Sequence, residues 1–573
     1  MHEALRDSAP RYVSPFLKQL PRARRVVLHR LLSALWREDF GAIRTASRRI
    51  DTTTPVVGYP DPSALGASLL GASLSEFRVG VWVIHELGAT AALAFPVRAE
   101  HAFDNLKAHN PMLSWRDRGV AVIEAPHELV ELLAEHAPIP AWRSFAAELA
   151  DTVANLALAF ARSQEQREAL RQVAAELGAP DTMTLARRLA ARCSSEDTMV
   201  FFERLNTEGH NLHPCGRGRL GMRPVDLLRH DLESDISTDL ILVAISRDRV
   251  ESTPDERGRD VGQLLWAEYP ALGTAVREHC RAAQLDPEGY VFVPVHRWQL
   301  DQVVRPLLAE EIAEGAVVPV PAARLAGVPT SSVRTLLTEP SPKGGRLLVK
   351  TALDTLIGST RRSISAHTTN NGPVYSRLLR RIIDGEPGLS DRVVLLDELA
   401  GASYRPRAHE SEPDRRSRAL SALVRSGLSI HLRPGELPVP SCALPARAPV
   451  TGSSLLTELV TRFAVSCGEG DLGAAGLRFA HQYATLLLPV SVILMTKYGI
   501  AVEAHLQNCI ITFADAVPAR LVLRDWGGMR IYPPRLRRHG LSFDPRPGAA
   551  TVTDDVQVMR AKMLYTVLSN HLG

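Results

Sequence analysis

Two polar clusters near the end of the chain hold residue types that bind metals and phosphates: Glu503-Ala504-His505-Leu506-Gln507-Asn508 and Arg524-Asp525-Trp526-Gly527-Gly528. Side chains alternate along an extended backbone, so Glu503, His505 and Gln507 would share one face. Between the clusters, 510–513 and 521–523 read as strands, joined by a turn over 514–518. The midpoint of that hairpin sets Asn508 opposite Asp525. Two carboxylates, an amide and an imidazole then crowd among apolar strands, where unpaired polar groups are costly. Kinases present magnesium ligands on a similar outline, with one or two carboxylates completed by phosphates and water.

Three earlier segments supply positive charge. In Gly209-His210-Asn211-Leu212-His213 and on to Arg217, Arg219 and Gly221, glycines allow close backbone approach, and the histidines and arginines donate to a polyanion. Ser332-Val333-Arg334-Thr335 reads as a strand that returns, after a turn near 340–345, through Lys350. That register sets Arg334 roughly across from Lys350 and Thr351. Two cations side by side repel unless an anion lies between them, which points to phosphate or carboxylate. Gly358-Ser359-Thr360-Arg361-Arg362 joins hydroxyls to guanidinium forks that grip carboxylates bidentately. His296 ends an apolar strand over 291–295 and reads mainly as packing, as does Cys509.

The surrounding elements must position these groups. The chain has 573 residues, too many for one simple core, so two or three domains are expected. A net charge of +4 offers no bulk argument for nucleic acid or membrane. Six scattered cysteines form no CxxC pair, and no signal-peptide pattern opens the chain, so a reducing cytoplasm is expected. Helical spacing marks 17–38 and 127–177, a hairpin is expected over 79–97, and Gly178-Ala179-Pro180-Asp181 is a candidate boundary. Mixed strand and helix patterns fill 195–400. Segments 405–418 and 433–452 read as irregular connections, followed by helices over 453–465 and on to Gly499. The apolar run Ala484 to Met495, interrupted by Pro489, reads as a buried helix too short to span a bilayer.

In order and approximate spacing, the motifs resemble those of the NRPS-independent siderophore (NIS) synthetases, the IucA/IucC family of the aerobactin synthetases. The resemblance rests on Gly209-His210…His213-Pro214…Arg217…Arg219…Gly221, Ser332-Val333-Arg334-Thr335, Lys350, Ser359-Thr360-Arg361-Arg362, Asn371-Gly372-Pro373, Glu503…His505…Gln507-Asn508 and Arg524-Asp525. Asn211, Arg217, Arg297 and Gly358 depart from the family pattern, Gly358 standing where a threonine is usual. The resemblance implies an α+β fold shaped like a hand, with antiparallel sheets and helical N- and C-terminal regions. Residues 1–180 would form a mainly helical thumb, 181–400 mixed fingers, and 401–573 a palm with a reduced C-terminal helical part.

It also implies an ATP- and Mg2+-dependent ligase, active as a homodimer, that adenylates a citrate-like polycarboxylate. An amine, hydroxylamine or alcohol then takes up the acyl group. By the same resemblance, Ser332, Arg334, Thr335, Lys350, His505, Gln507, Asn508 and Asp525 would contact ATP. His213, Ser359, Thr360, Arg362 and His505 would line the carboxylate pocket. Arg334, Lys350, Arg362 and His505 would act in catalysis, and Glu503 and Asp525 would hold magnesium. A kinase-like phosphotransferase and a non-catalytic ATP-binding homologue are the alternatives.

Overall fold

The structure is a computed structural model that describes residues 1–51, 80–88, 90–116, 119–234 and 236–573. It is an α+β fold with three larger sheets and two two-stranded ones among the described residues. The apolar spacing expected over 17–38 forms the helix Val13–Arg37, whose Val27, Leu28, Leu31, Leu32 and Trp36 are buried. It packs against the long helix Trp142–Glu176 and onto a six-stranded sheet. The expected 79–97 hairpin pairs Val81–Glu86 with Ala91–His101, antiparallel; Val79 lies outside the described residues. Trp36 meets Phe95 of that sheet edge-on, with ring centroids 6.1 Å apart.

The second sheet has eight strands, antiparallel at every pairing. In order they are Val250–Thr253, Glu398–Tyr404, Ser421–Arg425, Leu348–Thr351, Thr335–Thr338, Val317–Pro329, Thr238–Ser246 and Tyr290–His296. The border expected at residue 400 therefore runs through this sheet. Strand Ser421–Arg425 pairs with Leu348–Thr351, so its apolar residues are buried with the preceding region and not with a separate palm.

The third sheet orders Val393–Leu395, Val517–Leu523, Cys509–Ala514 and Glu436–Pro440. Helices Leu455–Ser466 and Leu472–Ile493 cover it. Segment 433–452 is thus less irregular than its prolines suggest: Pro438 and Pro440 lie on an edge strand, where a missing N–H costs no ladder bond. Likewise 405–418 contains the start of a short helix, Pro413–Ala419. The apolar run at 484–495 sits in a longer helical stretch, Leu472–Tyr498, which by length and composition alone could cross a membrane, as could Trp142–Glu176. In the fold its Phe479, Tyr483 and Leu487 enter the C-terminal core.

Candidate active site

The hairpin forms with the expected turn, but its register is displaced. Cys509 pairs with Leu523, and the Arg524 N–H donates to the Asn508 carbonyl at 3.1 Å, so Asn508 faces Arg524 and not Asp525. The turn closes at Ala514–Val517, one residue before the midpoint of 508 and 525, and a bulge between Thr512 and Phe513 recovers only one of the two positions so displaced. Residues 502–508 are a turn, not a strand. Their geometry comes from hydrogen bonds: Asn508 Nδ2 donates to the Glu503 carbonyl at 3.0 Å, and the Gln507 N–H donates to His505 Nδ1 at 3.2 Å. Arg524 ties the turn down by donating to the Gln507 carbonyl and to buried Glu203.

Arg334 does lie across from Thr351, whose N–H donates to its carbonyl at 2.9 Å. Its Nη1 donates to the carbonyls of Arg362 and Ser363 at 2.9 and 2.8 Å, locking two basic segments together. Before it, Ser332–Arg334 is a turn and the strand begins at Thr335, whose N–H bonds Ser332 Oγ. Val333 has φ 64, a left-handed conformation that a β-branched residue adopts only under constraint.

Lys350 and Asp525 are the electrostatic centre. Nζ reaches both Asp525 oxygens, at 2.8 and 2.7 Å, and Arg425 reaches the same carboxylate at 3.0 Å. Arg425 is bonded in turn to Glu398. Burial pushes Lys350 down to a pKa of about 8, helped by Arg334 and Arg425 and opposed by Asp525. Burial alone would raise the Asp525 pKa, but Lys350 and Arg425 outweigh it and hold the carboxyl well below its ordinary range. Burial and the neighbouring Arg362 and Arg425 bring Arg334 to about 10. Four basic groups thus surround a single centre with fewer counter-charges than cations, which favours an incoming anion.

Three histidines share one arrangement. His505 Nδ1 accepts from Gln507 N–H, His213 Nδ1 from Cys215 N–H at 3.0 Å, and His210 Nδ1 from the N–H groups of Leu212 and His213. Burial lowers all three pKa values, His210 to about 3. A neutral imidazole whose Nδ1 accepts must carry its proton on Nε2. All three rings line the same cavity, so each can offer it an Nε2–H donor.

That cavity has a volume of about 720 Å3. It gathers His213, Ser332, Arg334, Thr335, Lys350, Thr360, Arg362, Glu503, His505, Gln507, Asn508 and Asp525. Ser359 is the exception: its hydroxyl donates to Glu148 at 2.8 Å and it does not line the cavity. The turn carries φ 58 at both Gly358 and Ser359, which swings the serine outward. Arg217 and Arg219 are committed to buried Glu233 and Asp231, so they brace the glycine loop. His296 is buried, with Nδ1 capping Trp298 N–H, and does not line the cavity. Cys509 is buried and its thiol pKa is raised by burial, in keeping with packing.

The sequence reading missed two kinds of site residue. Arg425 ends an apolar strand, and a charge there was an available signal. Lys562 pairs with Glu503, Thr566 and Asn570 line the cavity, and His571 Nδ1 bonds the Ala504 carbonyl at 2.8 Å. Nothing in the local sequence marks these; they are helical residues brought under the 502–508 turn by the tertiary fold.

Among the described residues no group of three or more His, Cys, Asp and Glu is arranged to hold a metal ion. Glu503 and Asp525 do supply the hard oxygens magnesium prefers, in a number that leaves the rest to phosphates and water. Lysines balance both carboxylates in this structure.

The fold is that of the NRPS-independent siderophore synthetases. It superposes on the petrobactin biosynthesis protein AsbB of Bacillus anthracis with a TM-score of 0.73 at 19% identity, covering 98% of this chain and 85% of that one. The ATP-bound aerobactin synthetase IucA of Klebsiella pneumoniae gives 0.67 at 18%, covering 96% and 86%. The IucA / IucC family model matches residues 198–446, and a ferric iron reductase FhuF-like transporter model matches 477–573. Over residues 198–446 the chain is thus similar to the IucA / IucC family, and the relatives it matches include proteins named as ligases and synthases of siderophores. It is 25% identical to a D-ornithine–citrate ligase of Staphylococcus aureus over 97% of this chain and 81% of that protein. To the uncharacterized protein y4xN of Sinorhizobium fredii it is 29% identical, over 70% of this chain and 63% of that protein.

Proposed function

We propose that this chain is an ATP-dependent ligase of siderophore biosynthesis, joining a citrate-like polycarboxylate to an amine, hydroxylamine or alcohol. The observation that carries this reading is the convergence of Arg334, Lys350, Arg362 and Arg425 on one cavity with three histidines held as Nε2–H donors. Related proteins named as citrate ligases and staphyloferrin synthases support it.

In the first half-reaction a carboxylate oxygen attacks the α-phosphorus of ATP and pyrophosphate leaves, giving an acyl-adenylate. In the second, the nucleophile attacks the acyl carbon, AMP leaves with the bonding electrons, and the nucleophile loses a proton. The first step brings two anions together, and the second builds charge on the acyl oxygen. The cations offset that repulsion, and the Nε2–H donors face oxygens on which charge accumulates. Lys350 and Arg334 would contact the phosphates, and His213, Thr360 and Arg362 the acid. Glu503 and Asp525 would hold magnesium, which supplies charge neutralisation at the phosphates. A cytoplasmic location and a homodimer belong to the same reading.

Purified protein incubated with ATP, magnesium and a panel of acids and amines tests the proposal. Pyrophosphate and AMP that depend on the acid support it. ADP would instead indicate a phosphotransferase, and no turnover with tight ATP binding a non-catalytic homologue.

A further inference from the structure

A second cavity, about 320 Å3, opens between the N-terminal helices and the loop at 445–454. It shares Asn206, Gly209 and Asn211 with the main cavity, so the two meet at the glycine–histidine loop. Four guanidinium groups line it: Arg22 and Arg30 from the helix Val13–Arg37, Arg167 from Trp142–Glu176, and Arg447 from the loop. Glu208 is the one carboxylate among its lining residues. It is bonded to Arg30 at 2.8 Å and stands 3.9 Å from Arg22, which leaves most of the positive charge unbalanced. Arg22 sits over the Phe160 ring, its Cζ 3.9 Å from the centroid, a cation–π contact that favours this position. Burial and the neighbouring Arg22, Arg447 and Arg171 draw Arg167 down to about 10.

Like charges gathered in a concave site are costly unless an anion bridges them, and guanidinium forks match carboxylates and phosphates. We propose that this second cavity receives a carboxylate of the nucleophile, so that the second substrate is an amino acid-type amine or alcohol and not a polyamine. The proposal rests on the ligase reading above. A ligand anchored there by its carboxylate lies next to the loop carrying His210 and His213, with its amine free to reach the activated acid. A polyamine, positive throughout, would be repelled by the same arginines.

Matched pairs test this on the full chain with ATP, magnesium and citrate, reading AMP release: ornithine against putrescine, 2,3-diaminopropionate against ethylenediamine, serine against ethanolamine. The carboxylated member of each productive pair should show a KM lower by about tenfold or more, the worth of one charge-assisted hydrogen bond. Arg167→Gln and Arg447→Gln should each raise that KM about tenfold and move the decarboxylated partner's KM by less than about twofold. Both side chains are at least partly exposed, so neither change threatens folding. Equal KM values within the pairs, or equal losses for both members, would overturn the assignment. If no acid supports pyrophosphate release, the ligase reading itself fails, and calorimetric titration with ornithine, putrescine and inorganic phosphate still decides the cavity. Ornithine binding that Arg167→Gln abolishes supports it; binding of phosphate alone, or of none of the three, overturns it.

Discussion

Lys350 and Asp525 stand 175 residues apart in the chain and meet as a two-pronged ion pair, Nζ lying 2.8 and 2.7 Å from the carboxylate oxygens. The pair joins the eight-stranded sheet to the C-terminal hairpin, and Arg425 closes it from a neighbouring strand. Asp525 has φ 71, so the carboxylate is held in a conformation the rest of the site must enforce.

Removing Lys350 leaves the Asp525 carboxylate to Arg425 alone. Lys350→Met should therefore destabilise the protein by about 1.5–3 kcal/mol, the worth of a charge-assisted hydrogen bond, seen as a lower melting temperature. It should also reduce kcat/KM for ATP by at least about a hundredfold, since a preorganised donor to developing charge is lost. A variant with normal turnover would remove Lys350 from the phosphate site.

The lowered pKa of Lys350 sets two opposed pH trends. Its folded value, about 8, lies below the ordinary 10.5, so between these values the unfolded chain binds more protons than the folded one. The lysine's contribution to stability therefore rises with pH across that window and is lost as pH falls through 8. Phosphate binding runs the other way, because the neutral amine attracts no anion. kcat/KM for ATP should fall above pH 8 while thermal stability does not, and Lys350→Arg should flatten the alkaline limb.

His505 should act as a donor in its neutral form. Its pKa lies below the ordinary 6.5, through burial, so activity should hold down to pH 6.5 and fall only in more acid solution. His505→Ala should cost about 10²–10³ in kcat, the usual worth of one such donor. His505→Gln, which keeps an N–H, should retain more activity than the alanine. Nitrogen NMR should find the proton of His505 on Nε2; a proton on Nδ1 would contradict the arrangement.

Two glycines should respond differently. A Cβ on Gly528 would lie 1.9 Å from Glu503 Oε2, so Gly528→Ala must displace that carboxylate and should raise the magnesium concentration needed for half-maximal rate. A Cβ on Gly358 would meet nothing nearer than the His213 ring at 3.5 Å. With φ +58 there, Gly358→Ala should cost about 1–2 kcal/mol of stability, with little effect on the magnesium requirement.

The sequence alone determined the chemistry and its order along the chain. Residue types are visible without coordinates, and strongly periodic segments such as 17–38 and the 509–523 hairpin report their own local structure. Local pattern also marked most of the charged groups that line the main cavity before Lys562, though not Arg37 or Arg425. Only the tertiary structure decided which of these groups meet. An early turn, only partly offset by a bulge, set Asn508 opposite Arg524, a left-handed turn sent Ser359 to Glu148, and buried acids claimed Arg217 and Arg219. Lys562 and His571 became part of the site because a C-terminal helical stretch packs beneath the 502–508 turn. Such pairings depend on register and on charge balance between distant segments, and both are set only when the sheets close on one another.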